Sequence, residues 1–224
     1  MPRETIEADD ISAVRALLPV SETVAARLTR YAELLVQWQK AKNLVAPSTL
    51  PELWRRHIAD SAQIMPLLGD ARRIVDLGSG AGFPGLVIAA FLADKVGDGG
   101  LTPEVHLIES KGGKAQFLRT VARECGLPVV IHAERIEAAI GAIAGPVDAV
   151  TARALASLGD LLRLARPLMA TGTVAVFHKG RDFAHEKQIA DADWALDLVE
   201  VESRTDPEAC LVRIRTAEPR SAVR

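Results

Sequence analysis

In the first third of the chain, apolar residues recur every three or four positions, which is the spacing of an amphipathic helix. The repeat runs from Ile6 to about Leu68 and is clearest at Val24, Leu28, Tyr31, Leu35 and Trp38. Ser21 is a suitable N-cap for its strongest part, and Pro47 and Pro51 interrupt it. We therefore predict two or three helices over residues 1–70, forming a helical N-terminal extension packed on the rest of the chain.

After Arg73 the pattern changes to short apolar runs that alternate with amphipathic segments, as in βα units. The predicted strands are Ile74–Leu77, Val105–Glu109, Val129–His132, Val147–Thr151 and Val174–His178. The predicted helices are Pro84–Ala93, Lys114–Cys125, Arg135–Ile143 and Leu158–Met169, and a hairpin is predicted over Ala195–Val201 and Ala209–Thr216. Residues 71–224 are thus expected to form one α/β domain with a doubly wound, mostly parallel sheet.

The composition is that of an ordinary globular protein, with 49% hydrophobic and 25% charged residues and a net charge of −2 in 224 residues. The longest apolar run, Leu86–Ala93, is too short for a membrane span. The acidic N-terminus lacks the features of a secretory signal. Cys125 and Cys210 have no metal-ligand spacing, so we expect reduced thiols, no metal, no membrane and a cytoplasmic location.

The most informative segment is Ile74–Gly85, in which a glycine-rich turn directly follows a strand and precedes a helix. Gly78, Gly80 and Gly82 occupy alternate positions there. Glycine allows the backbone to take positive φ and lets a ligand approach the main chain closely. This pattern predicts a nucleotide or nucleoside site at the carboxyl end of the first strand.

Two ligands fit that pattern, because residues 80–85 also match the dinucleotide fingerprint GxGxxG. A dinucleotide site expects an acidic residue about 20 positions further on, whereas Glu109 lies 33 positions beyond Asp76. The loop Gly97–Pro103 lengthens this unit, so spacing alone does not decide.

Other features favour S-adenosylmethionine (SAM) over a nicotinamide dinucleotide. They are Asp76 at the end of the first strand, the alternating glycines, and Glu109 at the end of the second strand. In a SAM site, Glu109 would accept hydrogen bonds from the ribose hydroxyls, and Asp76 would lie near the methionine ammonium group. An NAD(P)-binding oxidoreductase remains the alternative at this point.

Several motifs, in order, resemble the 16S ribosomal RNA guanine-N7 methyltransferase family, also called glucose-inhibited division protein B. They are Trp38–Leu44, His57–Ser61, Asp76–Gly85, Leu107–Ser110, Phe117–Leu118, Arg135–Glu137, Thr151–Ala154 and Lys179–Gly180. The resemblance implies a class I SAM-dependent methyltransferase fold that methylates guanine 527 of 16S rRNA, free or in the small subunit. We expect it to act as a monomer. A non-catalytic, RNA-binding ribosome assembly factor is a further alternative.

The same resemblance assigns SAM contacts to Gly78, Phe83, Ile136, Glu137 and Arg153, which join Asp76, Gly80, Gly82 and Glu109 as predicted cofactor residues. By resemblance, the Ile136–Glu137 pair would lie at the adenine. Arg153 ends the fourth predicted strand region, where ligands of open α/β sheets bind.

Basic residues in two regions are candidates for phosphate contacts. They are Arg55, Arg56 and His57 in the N-terminal helices, and Lys111, Lys114, Arg119 and Arg123 around the second predicted helix of the α/β domain. Because guanine N7 carries a free lone pair, its methylation needs alignment more than a general base. The sequence accordingly identifies no catalytic residue.

Overall fold

The structure, a computed structural model, describes residues 9–95, 102–170 and 172–220. The predicted start of the N-terminal helices at Ile6 and most of the Gly97–Pro103 loop lie outside the described residues. No helix in the described ranges is long and apolar enough to cross a membrane.

The N-terminal region is helical but divided into more pieces than the sequence predicted. It contains α1 (Ile11–Arg15), the long α2 (Glu22–Lys42), a 3₁₀ helix (Pro47–Glu52), a π-helical turn (Trp54–Ala59), α3 (Asp60–Ala62) and α4 (Met65–Leu68). Ser21 caps α2 as expected, since its hydroxyl accepts from the backbone N–H of Val24 at 3.1 Å. The two prolines lie in the 3₁₀ helix, which explains why the α-helical repeat is interrupted there.

The described part of the α/β region forms a seven-stranded sheet in the order β3-β2-β1-β4-β5-β7-β6. Its strands are β1 (Arg73–Leu77), β2 (Glu104–Ile108), β3 (Val129–His132), β4 (Ala149–Arg153), β5 (Val174–Lys179), β6 (Trp194–Glu202) and β7 (Cys210–Pro219). The first five are parallel, and β7 and β6 are added as an antiparallel hairpin. The sequence order reverses between β1 and β4, and ligands of such sheets bind at this switch point.

Helices cover both faces of the sheet, and alternate residues of β1 show why. Ile74 lies in a core cluster with α2, α5 (Gly85–Leu92) and α6 (Gly112–Cys125). Val75 and Leu77 lie in a second cluster with α7 (Ile136–Ala142), α8 (Leu158–Ala165) and α9 (Phe183–Asp193). Since successive strand residues face opposite sides, a strand covered on both sides is mostly apolar, and in β1 Asp76 is the buried polar exception. The doubly wound sheet predicted from the sequence is confirmed.

Several boundaries differ from the prediction by one to four residues, and one helix was not predicted. The fourth strand begins at Ala149 rather than Val147, because the Asp148 carboxylate accepts the backbone N–H groups of Arg72 and Arg73, each at 2.8 Å, and closes a turn there. Helix α9 was not predicted, since it buries only Phe183 and Ala190 and carries little apolar periodicity. The division of the chain at residue 70 stays a prediction.

Candidate functional site

The glycine loop, residues 78–85, joins β1 to α5 and has the backbone conformation that its glycines predicted. Gly78, Gly80 and Gly82 have φ angles of 66°, 58° and 101°. The loop is held from two sides: the N–H of Ser79 donates to the carbonyl of Ile108 at 2.9 Å, and the Tyr31 hydroxyl donates to the carbonyl of Ala81 at 2.7 Å. Helix α2 therefore fixes the loop together with β2.

The three glycines differ in what surrounds them. A Cβ added at Gly78 would lie 2.6 Å from Leu155 Cδ1, and one at Gly82 would lie 2.3 Å from Leu86 Cδ1. A Cβ at Gly80 would meet nothing closer than 3.8 Å. A Cβ at Gly78 or Gly82 would therefore force Leu155 or Leu86 to move, in addition to the strain of a positive φ, whereas a Cβ at Gly80 would make only ordinary van der Waals contacts.

Glu109 follows β2 directly, and its carboxylate is largely buried. Its Oε2 accepts the backbone N–H of Gly80 at 3.0 Å, and its Oε1 accepts that of Lys111 at 2.7 Å. Each carboxylate oxygen can accept more than one hydrogen bond. Glu109 therefore both orders the glycine loop and keeps acceptor capacity for hydroxyl groups.

A cavity of about 560 Å³ lies over the glycine loop at the carboxyl edge of the sheet, and we call it the first cavity. Its walls include Gly78, Gly80, Phe83, Glu109, Lys114, Ile136, Glu137, Arg153 and Leu155. The predicted cofactor residues, apart from Asp76 and Gly82, are therefore brought together around one space. Its combination of apolar side chains with a few polar groups is typical of small-molecule sites, and its donor set fits a nucleoside.

Asp76 lies beneath the first cavity rather than among the residues that line it. It is fully buried, and the Thr151 hydroxyl donates to its Oδ1 at 2.8 Å. Its Oδ2 has no hydrogen-bond partner among the residues described. This oxygen would lie 2.7 Å from a Cβ added at Gly85, and burial raises the pKa of the carboxyl to about 6. The predicted proximity of Asp76 to a methionine ammonium group stays a prediction.

Arg153 ends β4, and its guanidinium connects the sheet to the N-terminal helices. Nη1 lies 3.1 Å from Asp60 Oδ2 and donates to the carbonyl of His57 at 3.2 Å. Nη2 donates to the carbonyl of Arg56 at 3.1 Å and to His57 Nδ1 at 2.5 Å. The guanidinium carbon also lies 5.5 Å from the centre of the Phe83 ring. Arg153 thus holds the π-helical turn against the glycine loop.

His57 is a neutral member of this arrangement. Burial, and then the charge of Arg153, lower its pKa to about 4. Since Nδ1 accepts from Arg153, the proton is assigned to Nε2, which donates to Thr49 Oγ1 at 2.8 Å. The ring stacks on Phe83 with centres 5.1 Å apart. Both ring nitrogens of His57 are therefore engaged.

A second cavity of about 870 Å³ adjoins the first and shares His57, Arg153, Ala154 and Leu155 with it. Its other walls include Arg55, Arg56, Asp60, Lys179, Gly180, Arg181, Glu186, Thr205 and Glu208. The turn after β4 separates the two spaces, and Ala154 takes a left-handed φ of 51° in it. The Lys179 ammonium donates to the carbonyl of Ala156 at 3.0 Å and pairs with Glu186, so that a buried ion pair fixes this turn.

The predicted RNA-binding residues do not form one surface. Arg55 and Arg56 line the second cavity, where both pair with Glu52. His57 is buried between the cavities, and Lys111 and Lys114 line the first. Arg119 and Arg123 are exposed on α6. The side chain of Lys42 lies over Gly113 at the start of α6 and adds a positive charge near Lys111 and Lys114.

Sequence reasoning missed several residues of the site. Asp60 and Ser61, which contact Arg153, belong to the His57–Ser61 motif but are not among the predicted site residues. Leu155 was missed because an apolar residue beyond a strand carries no chemical signal. Thr205 reaches Asp60 from the hairpin 145 positions away, which no local pattern reveals.

Solved structures with similar folds include methyltransferases of low sequence identity. An O-methyltransferase from Bacillus cereus in complex with SAH is 13% identical, with a TM-score of 0.57 over 92% of this chain and 96% of that one. A methyltransferase from Geobacter sulfurreducens is 13% identical, with a TM-score of 0.55 over the same shares. At this identity the likeness concerns the fold, and the predicted class I methyltransferase fold is confirmed.

Sequence relatives are much closer. A protein of Rhodospirillum centenum named ribosomal RNA small subunit methyltransferase G is 47% identical over 98% of this chain and 95% of its own length. One of the same name from Brucella canis is 46% identical over 90% of this chain and 92% of its own length. The family model described as rRNA small subunit methyltransferase G matches residues 24–209. The chain therefore belongs to the rRNA small subunit methyltransferase G family.

Proposed function

We propose that this protein transfers the methyl group of SAM to N7 of a guanine in 16S rRNA, guanine 527 in the family's substrate. The observation that carries the proposal is the contact between two cavities at the carboxyl end of β4, the first suited to a nucleoside and the second open beside it. Family membership favours a methyltransferase over the oxidoreductase that the GxGxxG pattern left open.

The first cavity is the proposed cofactor site. Glu109 would accept the ribose hydroxyls, while Phe83 and Ile136 would supply apolar contacts and Glu137 would lie at the adenine. Gly80 leaves the glycine loop open on its ligand side. SAM bound there supplies a methyl group activated by a positively charged sulfur.

The second cavity is the proposed site of the acceptor base. Its cationic groups are largely matched by carboxylates: Arg153 by Asp60, Lys179 by Glu186, and Arg181 by Glu208 at 3.6 Å. A charge-balanced, polar cavity suits a base better than a phosphate group. A nucleobase turned out of its stack is commonly held in such a pocket.

The geometry agrees with a reaction that needs no general base. Guanine N7 has a free lone pair, so the residues have to align the acceptor with the methyl group. His57 is the titratable base nearest the shared wall, but Arg153 occupies its Nδ1 and Nε2 carries the proton. The turn at Ala154–Ala156, fixed by Lys179, sets where the two cavities meet.

The test is methylation of small-subunit RNA by the purified protein, mapped by mass spectrometry, with SAM and NAD binding measured by calorimetry. A methylated guanine that depends on the protein and on SAM supports the proposal. NAD binding without SAM binding, or SAM binding without methyl transfer to small-subunit RNA, contradicts it.

A substitution that fills the second cavity tests the place of the acceptor. Gly180 lines this cavity, has no left-handed φ, and has open space where a Cβ would lie. Gly180→Leu should lower single-turnover methylation about 100-fold, the cost of misplacing a reacting group, while SAM affinity is kept. Gly141→Leu is the matched control, because Gly141 also has open space, lies on α7 and lines neither cavity. Equal rates for both variants would remove the acceptor from the second cavity.

We further propose that the protein works as a monomer in the cytoplasm. The cysteines support the cytoplasmic location, because reduced thiols are typical of cytosolic proteins. Cys125 and Cys210 are free and buried, and burial raises the pKa of both thiols to about 11, so neither is a reactive thiolate.

A further inference from the structure

A set of hydrogen bonds connects the β6–β7 loop to Arg153 through Asp60. The Asp60 carboxylate uses its two oxygens differently: Oδ2 faces Nη1 of Arg153 at 3.1 Å, and Oδ1 accepts from the Thr205 hydroxyl at 2.6 Å. Gln63 Nε2 also donates to Oδ1, at 2.8 Å. Asp60 is therefore held from the side opposite to Arg153.

The side chains behind Asp60 are themselves fixed. Gln63 Nε2 lies within hydrogen-bond distance of Ser203 Oγ at 3.0 Å and Thr205 Oγ1 at 3.1 Å. Its Oε1 accepts the backbone N–H of Arg204 at 2.9 Å, so the orientation of the amide is determined by its partners. Gln63, Ser203 and Thr205 are all buried. Fully satisfied buried networks of this kind restrict side-chain motion.

The loop that carries Thr205 is attached to the N-terminal helices at a second point. The Arg204 guanidinium donates to the carbonyls of Ala16 at 3.0 Å and Leu17 at 3.4 Å. This loop also lines the second cavity through Ser203 and Thr205. One segment thus contacts the proposed acceptor cavity and, through Asp60, the arginine that borders both cavities.

Asp60 remains charged in these surroundings. Burial alone would raise the pKa of its carboxyl, but Arg153, His178, Thr205 and Gln63 together lower it below the usual value. A largely buried carboxylate with an arginine on one side and neutral donors on the other has one favourable position. Removing a neutral donor frees the carboxylate to move, and Arg153 would move with it.

We propose that Thr205 and Gln63 are positioning residues for cofactor binding, because they hold Asp60 in the place that orients the Arg153 guanidinium at the first cavity. The inference rests on the proposed function, in which Arg153 borders bound SAM. It assigns the β6–β7 loop, which contributes nothing to the lining of the first cavity, a role in that cavity's affinity.

The test compares isosteric variants in the full-length protein by SAM calorimetry and methyl-transfer kinetics. Thr205→Val removes the hydroxyl and should weaken SAM binding about five-fold, the effect of losing one hydrogen bond, with a corresponding rise in KM for SAM. Thr205→Ser keeps the hydroxyl and should stay within about two-fold of wild type. Thr173→Val is the control, since Thr173 is also buried and its hydroxyl donates to the carbonyl of Val147 at 2.7 Å, away from both cavities.

A double-mutant cycle shows whether Thr205 acts through Arg153. In an Arg153→Ala background, Thr205→Val should have no further effect on SAM affinity, because the group that it positions is gone. Additive effects, or equal SAM affinity for Thr205→Val and Thr173→Val, would overturn the inference and leave the proposed function standing. A wild-type protein that binds no SAM would overturn both. If Thr205→Val does not fold, Gln63→Leu in the same cycle decides the question in the same way.

Discussion

At the residue scale, the carboxylates at the ends of β1 and β2 show how similar sequence positions lead to different environments. Glu109 accepts two backbone N–H groups and borders the first cavity. Asp76 lies one strand away, is fully buried, and has one oxygen with no partner among the described residues. The difference follows from the position of each residue relative to the end of its strand. Glu109 is the first residue after β2, whereas Asp76 is the next-to-last residue of β1.

The sequence could predict both positions but not this difference. Acidic residues at the carboxyl ends of strands beside a glycine turn indicate ligand contacts, and for Glu109 the structure places the side chain at the cavity. A residue inside a strand of this sheet is covered by helices, whereas a residue just after the strand can reach the cavity. Sequence patterns locate the last residue of a strand poorly, so they do not distinguish the two cases. Arg153, which the sequence placed at the carboxyl end of the fourth strand, is the last residue of β4 and borders both cavities.

The environment of Asp76 predicts a specific pH dependence of stability. Burial raises its folded-state pKa to about 6 from its ordinary value of 3.8. An acid with a raised folded pKa is protonated more readily in the native state, so its unfavourable contribution develops as the pH rises from about 4 to about 6. We expect Asp76→Asn to remove this contribution, which is at most roughly 3 kcal/mol.

The measurement is the free energy of unfolding in denaturant at pH 4.5 and pH 7.5 for wild type and Asp76→Asn. Other titrating groups contribute equally to both proteins, so the difference between the two pH responses isolates Asp76. Stability of the wild type should fall more between these pH values than that of the variant. Identical pH responses would show that the Asp76 carboxyl titrates normally.

At the element scale, the sequence predicted those elements whose burial is strongly periodic. β1, β2, β4 and β5 and helices α5, α6 and α8 bury apolar runs or clear helical faces, and they were found. The partly exposed β3 and α7, which buries only Ala139, were also found, because their apolar residues recur at strand and helix spacing in the sequence. Helix α9 buries two residues, and the segment between α2 and β1 changes between 3₁₀, π and α geometry. These elements depend on tertiary contacts, such as the carbonyls of Arg56 and His57 meeting Arg153.

The glycine loop permits a test that separates backbone strain from ligand contact. Gly80 and Gly126 have nearly the same φ, 58° and 60°, and neither would bring an added Cβ closer than 3.8 Å to other atoms. Alanine at either position should cost about 1 kcal/mol of stability, since non-glycine residues disfavour this conformation. Gly80 lines the first cavity and Gly126 caps α6.

We therefore expect Gly80→Ala and Gly126→Ala to lower the melting temperature by similar amounts, while Gly80→Ala alone weakens SAM binding. Thermal unfolding and calorimetry on the two variants measure these effects. A Gly80→Ala protein with the SAM affinity of Gly126→Ala would show that the ligand does not approach this part of the loop.

At the scale of the whole molecule, an RNA substrate has to be bound by a chain with a net charge of −2. Much of the local positive charge is already compensated: Arg55 and Arg56 pair with Glu52, and Arg123 pairs with Glu124. The net charge gave no sign of a nucleic-acid partner, and the ion pairs leave few uncompensated cations to mark its binding surface. The arrangement of the two cavities indicates where an RNA would approach. Lys111 and Lys114 line the first cavity, with Lys42 beside them over Gly113, and Arg55 and Arg56 line the second.

The last prediction tests that arrangement with two matched arginines. Arg56 and Arg215 have side chains exposed to 48% and 56%, and each pairs with one carboxylate, Glu52 at 3.5 Å and Asp197 at 3.3 Å. Arg56 lines the second cavity, whereas Arg215 lies on β7.

Because phosphate contacts release counterions, Arg56→Glu should weaken RNA binding and reduce the steepness of log affinity against log salt by about 0.7–0.9. Arg55→Glu added to it should lower both further. Arg215→Glu should change neither quantity, and SAM affinity should be the same in all these proteins. RNA titrations from low to high salt give both values. Equal salt slopes for Arg56→Glu and Arg215→Glu would place the RNA on another face of the molecule, and the exposed side chains of Arg119 and Arg123 on α6 would then be the next to reverse.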